Sequence, residues 1–354
     1  KAYHQNKRIN DKILLHMGRA FHLNMDLDRA ILEYNNYITA YKKQERFKED
    51  TPNDSTILSV QKLIEECETG KQLLLDPKRV FVYNLGEKIN SEFPDYDPYL
   101  LANDTILIFT SRRESTKGGG RADVDAHYYE DVFTAVKKGD TWEENTEMTR
   151  KFNKRTNNAV VGISGDGLTM FMYRDTERGN IYETKLVEGE WTKPKGLKFI
   201  NTEYRETSAS LSKDGNTMYY VSDKPGGLGG GDIYVITKDS SGEWSESKNV
   251  GAGLNTEFDE GRVFLSREGT SLYFSSKGHK TMGGYDIFVS EQDSVTGEWQ
   301  EPTNIGYPIN SVDDDISFSV TPSRAKGYYS SIKPNGYGSK DIYMVAFLDF
   351  LKPV

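Results

Sequence analysis

The chain has 354 residues, with 45 lysines and arginines against 54 aspartates and glutamates, and a net charge of −9. This acidic balance argues against a nucleic-acid-binding protein, because neutralising phosphates requires a basic face. The single cysteine, Cys67, excludes an internal disulfide, and the sequence has no apolar run of the roughly 18 residues that a membrane span requires. The 22 tyrosines, 16 phenylalanines and 32 glycines are typical of a sheet protein.

Residues 1–77 are predicted to form a short helical segment. Glycines are few here, and apolar residues recur at helical spacing, for example Leu27, Ile31, Tyr34 and Ile38. Four residues have the spacing of a tetratricopeptide repeat: Gly18, Phe21, Ala30 and Tyr34. A third helix is predicted from about residue 55 to residue 75. One repeat is too short for a free-standing solenoid, so we expect either further helices upstream or packing on the rest of the chain.

Residues 78–354 are predicted to form a five-bladed β-propeller. A motif of Asp or Asn, then Ile or Val, then Tyr or Phe recurs at intervals of 49 to 55 residues, beginning at Asp131, Asn180, Asp232, Asp286 and Asp341. A tryptophan follows each of the first four motifs: Trp142, Trp191, Trp244 and Trp299. A turn asparagine recurs as well, at Asn90, Asn201, Asn255 and Asn310. Four short strands in each repeat of this length predict propeller blades, and we expect Trp191, Trp244 and Trp299 to be largely buried.

The ring is predicted to close through residues 79–86. The fifth repeat has no following tryptophan and little chain after its third strand. The sequence Asn84-Leu85-Gly86 matches Asn304-Ile305-Gly306, which follows a predicted fourth strand. We therefore expect residues 79–86 to form the outer strand of the last blade, because that blade would otherwise end in an unpaired edge.

Several motifs carry a resemblance to a known family. Asn84-Leu85-Gly86, Ile89-Asn90-Ser91, Tyr96-Asp97-Pro98 and the recurring Gly-Gly-x-Asp-Ile-Tyr sequence occur in that order. The chain resembles TolB-like, WD40-like β-propellers and, more narrowly, the PorE-like tetratricopeptide and propeller proteins of Bacteroidetes envelopes. This resemblance covers nearly the whole chain, and its motifs are specific for architecture more than for function.

The resemblance implies a non-catalytic periplasmic scaffold associated with the outer membrane. Its implied partners are envelope proteins of an outer-membrane complex, including that of type IX secretion, and it implies a lipid anchor upstream of this sequence. The longer family members continue into an OmpA-like domain. Peptidoglycan binding is therefore expected only through a region that this sequence does not contain.

No cofactor, metal site or catalytic residue is predicted from the sequence. The five histidines lack the spacing of a zinc site. The Asp-box-like turns at Ser164 and Ser212 are interpreted as hairpin turns. The run Asp313-Asp314-Asp315 aligns with acidic residues of other repeats, which favours a structural role over calcium binding.

Charged residues are predicted to ring one face of the propeller. Acidic residues precede the first strands of the repeats: Asp97, Glu206, Asp259, Glu260, Asp314 and Asp315. Basic residues follow the second strands: Arg112, Arg113, Arg174, Lys224, Lys277 and Lys333. Two interpretations stay open, namely salt bridges between neighbouring loops and a rim in which the six basic residues bind a partner. The insertion from Glu114 to Tyr129 is a further candidate, because long loops on a rigid scaffold often carry binding.

Three functions are compatible with the sequence. The first is a protein–protein scaffold of the envelope, the second a glycan- or peptide-binding propeller, and the third a hydrolase or lyase acting at the central mouth. An enzyme requires an acid/base pair near the axis. A deep axial cleft with two unpaired carboxylates would favour the enzyme, and a flat, rimmed surface would favour the scaffold.

Overall fold

The computed structural model describes residues 11–43, 54–101, 105–117, 127–139, 141–144, 149, 153–154, 156–175 and 179–350. It confirms the predicted fold class, a mainly β, five-bladed propeller preceded by short helices. In the predicted binding loop from Glu114 to Tyr129, residues 118–126 lie outside the described ranges. Within those ranges, no helix is both long and apolar enough to cross a membrane.

In the described part of the chain, three helices precede the propeller. They are α1 (Lys12–Leu23), α2 (Leu27–Lys42) and α3 (Ser55–Leu75). Helix α2 begins after Asp26, whose side chain accepts the backbone N–H of Arg29, and α3 begins after Asp54 in the same manner. Helices α1 and α2 approach closely at Gly18, where a Cβ atom would lie 2.5 Å from the ring of Tyr34. Any larger residue at this position would force the two helices apart.

Twenty-one strands follow in the described residues. In chain order they are β1 (Val80–Asn84), β2 (Asp95–Leu101), β3 (Ile106–Ser111), β4 (Asp131–Lys138), β5 (Thr141–Glu144), β6 (Asn158–Ile163), β7 (Thr169–Arg174), β8 (Asn180–Val187), β9 (Glu190–Trp191), β10 (Lys195–Gly196), β11 (Glu206–Leu211), β12 (Thr217–Ser222), β13 (Asp232–Thr237), β14 (Lys248–Asn249), β15 (Glu260–Leu265), β16 (Ser271–Ser276), β17 (Asp286–Glu291), β18 (Thr303–Asn304), β19 (Asp315–Val320), β20 (Lys326–Ser331) and β21 (Asp341–Phe347). A 3₁₀ helix, Leu348–Phe350, follows β21.

Each blade is an antiparallel sheet whose first strand lies nearest the axis. Blade 1 consists of β2 to β5, blade 2 of β6 to β10, blade 3 of β11 to β14 and blade 4 of β15 to β18. Blade 5 consists of β19, β20 and β21, with β1 as its outer strand. Strand β1 pairs antiparallel with β21, so that Val82 lies opposite Val345. The two ends of the propeller sequence therefore meet in one blade and leave no gap in the ring.

The recurring asparagines explain why the repeat was visible in the sequence. Asn310 accepts the backbone N–H of Ile287 at 2.9 Å and donates to the carbonyl of the same residue at 2.9 Å. Asn255 makes the same two hydrogen bonds with Ile233. Each asparagine thus ties the turn after the fourth strand to the third strand of the same blade, which satisfies backbone groups that no neighbouring strand reaches.

The tryptophans are less uniformly buried than the sequence predicts. Trp191 is buried, with 5% of its surface exposed, whereas Trp244 and Trp299 are half-buried. Trp244 stacks on Phe199 with ring centroids 5.1 Å apart, and Trp299 donates its indole N–H to the Tyr219 hydroxyl at 3.1 Å. Each of these rings thus contacts an aromatic residue of the preceding blade, and Trp244 is also covered by the ammonium of Lys238, 4.8 Å from its ring centroid.

Candidate binding face and axial cavity

The helical segment packs on the upper face of the propeller, which is the face where the first strand of each blade begins. The imidazole Nε2 of His22 lies 3.0 Å from the carbonyl oxygen of Met282 in blade 4. Lys62 donates to the hydroxyl of Thr281 at 3.3 Å. The helices and the propeller loops share one apolar core: Leu14, Leu27, Tyr34, Val60, Cys67, Met282 and Val312. The two parts of the chain are therefore joined by a packed interface, called the seam below.

Burial perturbs three titratable groups at the seam. It raises the pKa of Glu66 to about 8, against the opposing charge of Lys62. It lowers the pKa of His22 to about 4, although the hydrogen bond with Met282 opposes this shift. Burial also raises the pKa of Cys67 to about 12, which keeps the thiol protonated and unreactive. The free energy of packing the helices on the propeller must therefore depend on pH.

Three of the six basic residues predicted to bind a partner lie at equivalent positions, two residues after the second strand: Arg113, Lys224 and Lys333. Their cationic groups lie 4.6, 4.0 and 5.9 Å from the centroid of an aromatic ring on the third strand. Arg113 also donates to the carbonyl of Ile89 at 2.7 Å, and Lys333 donates to the carbonyl of Ile309 at 3.1 Å. These side chains thus stabilise their own blades through cation–π contacts and hydrogen bonds.

Blade 4 makes the corresponding contact with a histidine. His279 Nε2 lies 3.0 Å from the carbonyl oxygen of Leu254, and its ring centroid lies 5.2 Å from that of Phe288. His279 lies three residues after β16, one residue later than the basic residues of blades 1, 3 and 5, but it makes the same kinds of contact. The recurrence of basic residues here is explained by packing, whatever further role they have.

The other three predicted basic residues lie in different surroundings. Arg174 is buried, with its guanidinium 5.0 Å from an aromatic ring of its own blade. Arg112 donates to the carbonyl of Tyr128 at 2.6 Å. Lys277 forms an ion pair of 3.1 Å with Asp259 beside the axis. The six basic residues therefore do not form one uniform rim, and partner binding by all six stays a prediction.

The predicted acidic residues divide into a buried and a partly exposed group. Four are buried, and three of these begin the first strands of blades 3, 4 and 5: Glu206, Glu260 and Asp315. Glu260 accepts the hydroxyl of Thr256 at 2.8 Å, and burial raises its pKa to about 7. Burial likewise raises the pKa of Asp315 to about 6. The partly exposed Asp259 and Asp314 pair with lysines at the surface. These pairings support the interpretation as loop-to-loop salt bridges.

Asp97 does not precede its strand, as the sequence predicted, but is the third residue of β2. Its buried carboxylate receives two hydrogen bonds of 2.9 Å from the guanidinium of Arg262 in blade 4. Ser317 of blade 5 donates to the same carboxylate, and Arg262 donates to the carbonyl of Thr207 in blade 3 at 2.8 Å. Side chains and backbone from four blades therefore meet at the axis around one bidentate ion pair.

Sequence reasoning missed Arg262, although the repeat contains a signal for it. The third residues of the five first strands are Asp97, Val160, Ser208, Arg262 and Ser317, and those of blades 1, 4 and 5 meet at the axis. This set contains one acid and one base. Asp97 and Ser317 also have φ values of 55° and 61°, a left-handed conformation that is costly for residues other than glycine. The backbone is thus strained at the point where the ion pair forms.

Two cavities lie on either side of the axial ion pair. The upper cavity has a volume of about 370 Å³, and its walls include Arg205, Thr207, Asp223, Asp259, Arg262 and Tyr285. The lower cavity has a volume of about 160 Å³, and its walls include Tyr99, Phe264 and Arg267. No residue of the described helices lines the upper cavity, so the seam and this cavity are separate features of the upper face.

The described carboxylates near the upper cavity all have partners. Glu130 accepts the hydroxyl of Tyr96 at 2.6 Å, and burial raises the pKa of Glu130. Asp223 accepts a backbone N–H at 2.8 Å, and Asp97 is held by Arg262. The part of the chain that the structure describes has no group of three or more His, Cys, Asp or Glu residues that could hold a metal ion. The unpaired acid/base couple that would favour an enzyme is not found among these residues.

A larger apolar cleft of about 570 Å³ lies where the helices meet blade 5. Its walls include Leu23, Met25, Val82, Tyr307, Val312 and Ile332. Leu23 is 42% exposed at its edge. The cleft, called the seam cleft below, combines residues from the α1–α2 turn with residues from blade 5 and from the turn that precedes it. It therefore exists only when the helices are packed on the propeller.

Comparisons with known proteins give no family assignment. No protein-family model matches the chain, and no curated protein matches it.

Solved structures do match. A glycoside hydrolase aligns with 81% of this chain and 96% of its own, with a TM-score of 0.51 and 10% identity. A structure of BT0996 in complex with RGII gives the same coverage, a TM-score of 0.52 and 10% identity. TolB from Acinetobacter baumannii aligns with 68% of this chain at 15% identity and a TM-score of 0.40, and the chain spans about half, 52%, of that protein. At these identities the likeness is one of fold.

Proposed function

We propose that this chain is a non-catalytic scaffold of the bacterial periplasm that binds envelope proteins of an outer-membrane-associated complex. The observation that carries the proposal is the seam, where Met282 and Val312 of the propeller share one apolar core with the helices. This core holds the surface of the helices and the upper face of the propeller in a fixed relative position. A scaffold that contacts one partner with both surfaces needs them fixed in this way. The outer-membrane complex and its type IX secretion character are taken from the family resemblance, as is the link to peptidoglycan through a region outside this sequence.

The state of the axial carboxylates supports a non-catalytic role. Glycoside hydrolysis by the usual mechanism needs a carboxylic acid and a carboxylate that are both free to act on the substrate. Asp97 instead neutralises Arg262 at 2.9 Å, and Glu130 is engaged by the Tyr96 hydroxyl at 2.6 Å. Using either group for catalysis would first require breaking a buried interaction, which costs several kcal/mol for an ion pair.

The seam cleft is the part of the surface best suited to a protein partner. Its walls are mainly apolar, and it lies on the same face as Arg112 and Lys277, two of the basic residues predicted to bind a partner. An apolar pocket with charged residues nearby is the usual arrangement of a protein interface, in which a few buried side chains supply most of the affinity. We therefore expect the partner to insert apolar side chains beside Leu23.

Affinity capture from a native envelope fraction tests this function. Leu23→Asp places a charge at the seam cleft, and Val295→Asp is the matched control, because Val295 is 91% exposed on the lower face of blade 4. We expect Leu23→Asp to reduce capture of a specific envelope protein at least about tenfold and Val295→Asp to leave it unchanged. Equal capture by both variants would remove the seam cleft from the proposal. Turnover of a polysaccharide or peptide by the purified chain would overturn the scaffold in favour of the enzyme.

A further inference from the structure

The upper cavity is lined by both hydrogen-bond donors and hydrogen-bond acceptors. The hydrogen bonds described for Arg262 use three of its guanidinium N–H groups. A guanidinium has five, so these bonds leave two N–H groups of Arg262 unused, and its side chain, 22% exposed, lines the cavity. Arg205 lines the cavity as an exposed side chain, and Asp223 and Asp259 supply acceptors. A molecule in this cavity could therefore both accept and donate hydrogen bonds.

The charges around the cavity nearly cancel. Two arginines, Arg205 and Arg262, stand beside Asp223 and Asp259, and the third lining acid, Glu260, is buried with its pKa raised to about 7 by that burial. Arg262 is already paired with Asp97, and Asp259 is already paired with Lys277. A charged ligand would thus lose its hydration without gaining a net opposite charge, which is unfavourable. A neutral ligand with several hydroxyl groups meets no such cost.

The walls of the cavity are formed partly by backbone and partly by an aromatic ring. Gly230, Gly231 and Gly261 line the cavity, so backbone forms part of its walls. Tyr285 is half-buried and lines the cavity, with the ammonium of Lys277 4.6 Å from its ring centroid. The buried ion pair below holds Arg262 in place. These features fix the polar groups before a ligand arrives, which lowers the entropy cost of binding.

We propose that the upper cavity binds a small, neutral, hydroxyl-rich ligand, namely a sugar ring. Its volume of about 370 Å³ lies near the lower end of the range for small-molecule sites, which suits one or two rings and not a folded protein. Planar arginine and aspartate side chains can each make paired hydrogen bonds to neighbouring hydroxyls. The proposal is independent of the scaffold function, since the seam cleft and the upper cavity share no described lining residue.

Ligand-observed NMR by saturation transfer tests the proposal on the full chain. The probes are glucose, galactose, mannose, arabinose and N-acetylglucosamine, with succinate as a charged comparator. We expect at least one neutral sugar to bind with a dissociation constant on the order of 1 mM. Arg205→Ala and Asp223→Ala change two exposed residues of the cavity and should each weaken that binding about tenfold. Arg267→Ala, an exposed arginine at the lower cavity, is the matched control and should leave it unchanged.

Three results would overturn the proposal. The first is that no neutral sugar of the panel binds the wild-type chain. The second is that binding persists equally in Arg205→Ala and Asp223→Ala, both checked for native folding by near-ultraviolet circular dichroism. The third is that succinate binds more tightly than every neutral sugar, which would make the cavity an anion site. None of these results bears on capture of an envelope protein through Leu23.

Discussion

The axis of the propeller and the seam are both interfaces between distant parts of the chain, but they are built differently. At the axis, Asp97 and Arg262 form a buried bidentate ion pair across the ring. At the seam, Met282 and Val312 pack into an apolar core with the helices, and the buried Glu66 lies close by. A buried ion pair depends on both partners being present, whereas an apolar core loses free energy in proportion to the atoms removed. The two regions should therefore respond differently to the same kind of substitution.

The largest effect is expected at the axis. Arg262→Met removes one partner and leaves the Asp97 carboxylate buried without its counter-charge, which should cost about 3–5 kcal/mol of the free energy of unfolding. The double variant Asp97→Leu with Arg262→Met removes both charges and should recover most of that loss. Urea denaturation measures both values. If the double variant were as unstable as the single one, the ion pair would not be the cause of the loss.

A smaller effect is expected at the seam. Met282→Ala removes apolar atoms from the shared core and should cost about 2–4 kcal/mol. Hydrogen exchange should then accelerate in α1 to α3 more than in the five blades, because the helices lose their support. Val295→Ala, at a position 91% exposed, should change the free energy of unfolding by less than about 0.5 kcal/mol. Uniform acceleration over all blades after Met282→Ala would mean that the helices and the propeller unfold as one unit.

The pH dependence of the seam gives a third and smaller effect. The pKa of Glu66 is raised to about 8 in the folded chain, so the folded state holds a proton that the unfolded state releases. Folding is therefore most favoured at acidic pH and is progressively disfavoured as pH rises through 8. Glu66→Gln removes this dependence, and its stability advantage over wild type should grow by about 1–2 kcal/mol between pH 6.5 and 8.5.

The pH range of this experiment separates the effect of Glu66 on stability from that of His22. The lowered pKa of His22, about 4, causes a loss of stability only as pH falls below the ordinary histidine value. Urea denaturation at pH 6.5, 7.5 and 8.5 is compared between wild type and Glu66→Gln, because groups such as Glu260, whose pKa is about 7, titrate in both chains and cancel in the difference. A constant difference between the two chains over this range would show that Glu66 is ionised in the folded state.

The smallest effect is expected at the rim of the upper cavity. Lys277 pairs with Asp259 at 3.1 Å, and both side chains are about two-fifths exposed, at 43% and 41%. Solvent screens such a pair, so Lys277→Gln should cost less than about 1 kcal/mol in urea denaturation. A loss comparable to that of Arg262→Met would place Lys277 within the axial network instead of at its rim.

The fold was predictable because its signals are local and repeated. Asn90, Asn310 and the equivalent asparagines each form hydrogen bonds with the third strand of their own blade. In most blades that strand is only about 20 residues away, so an asparagine is needed at the same place in every repeat. The closing strand was found for the same reason, since Asn84 donates to Asp341 at 2.7 Å just as Asn304 donates to Asp286 at 2.7 Å. Because the same hydrogen bond is needed in every blade, the residues that form it recur in the sequence and indicate a propeller.

The candidate site was less predictable because it depends on single, long-range contacts. Arg262 reaches Asp97 across 165 positions of sequence, and His22 reaches Met282 across 260. Neither contact recurs in the other blades, so no repeat points to it. The charge pattern of Arg113, Lys224 and Lys333 did recur, but it reflects cation–π packing inside the blades. Recurrence therefore identified structural residues, and the exceptions to the repeat identify the candidate site.

Site-specific photo-crosslinking tests the central claim, that a partner protein binds at the seam cleft. A photoreactive residue would replace Leu23 at the cleft in one variant and Val295 on the lower face in another, both exposed apolar positions. The two variants would be irradiated in the native envelope and their adducts compared by mass spectrometry. We predict a discrete adduct with one envelope protein from position 23 and none from position 295. Identical adducts from both positions, or no adduct from position 23, would contradict the account.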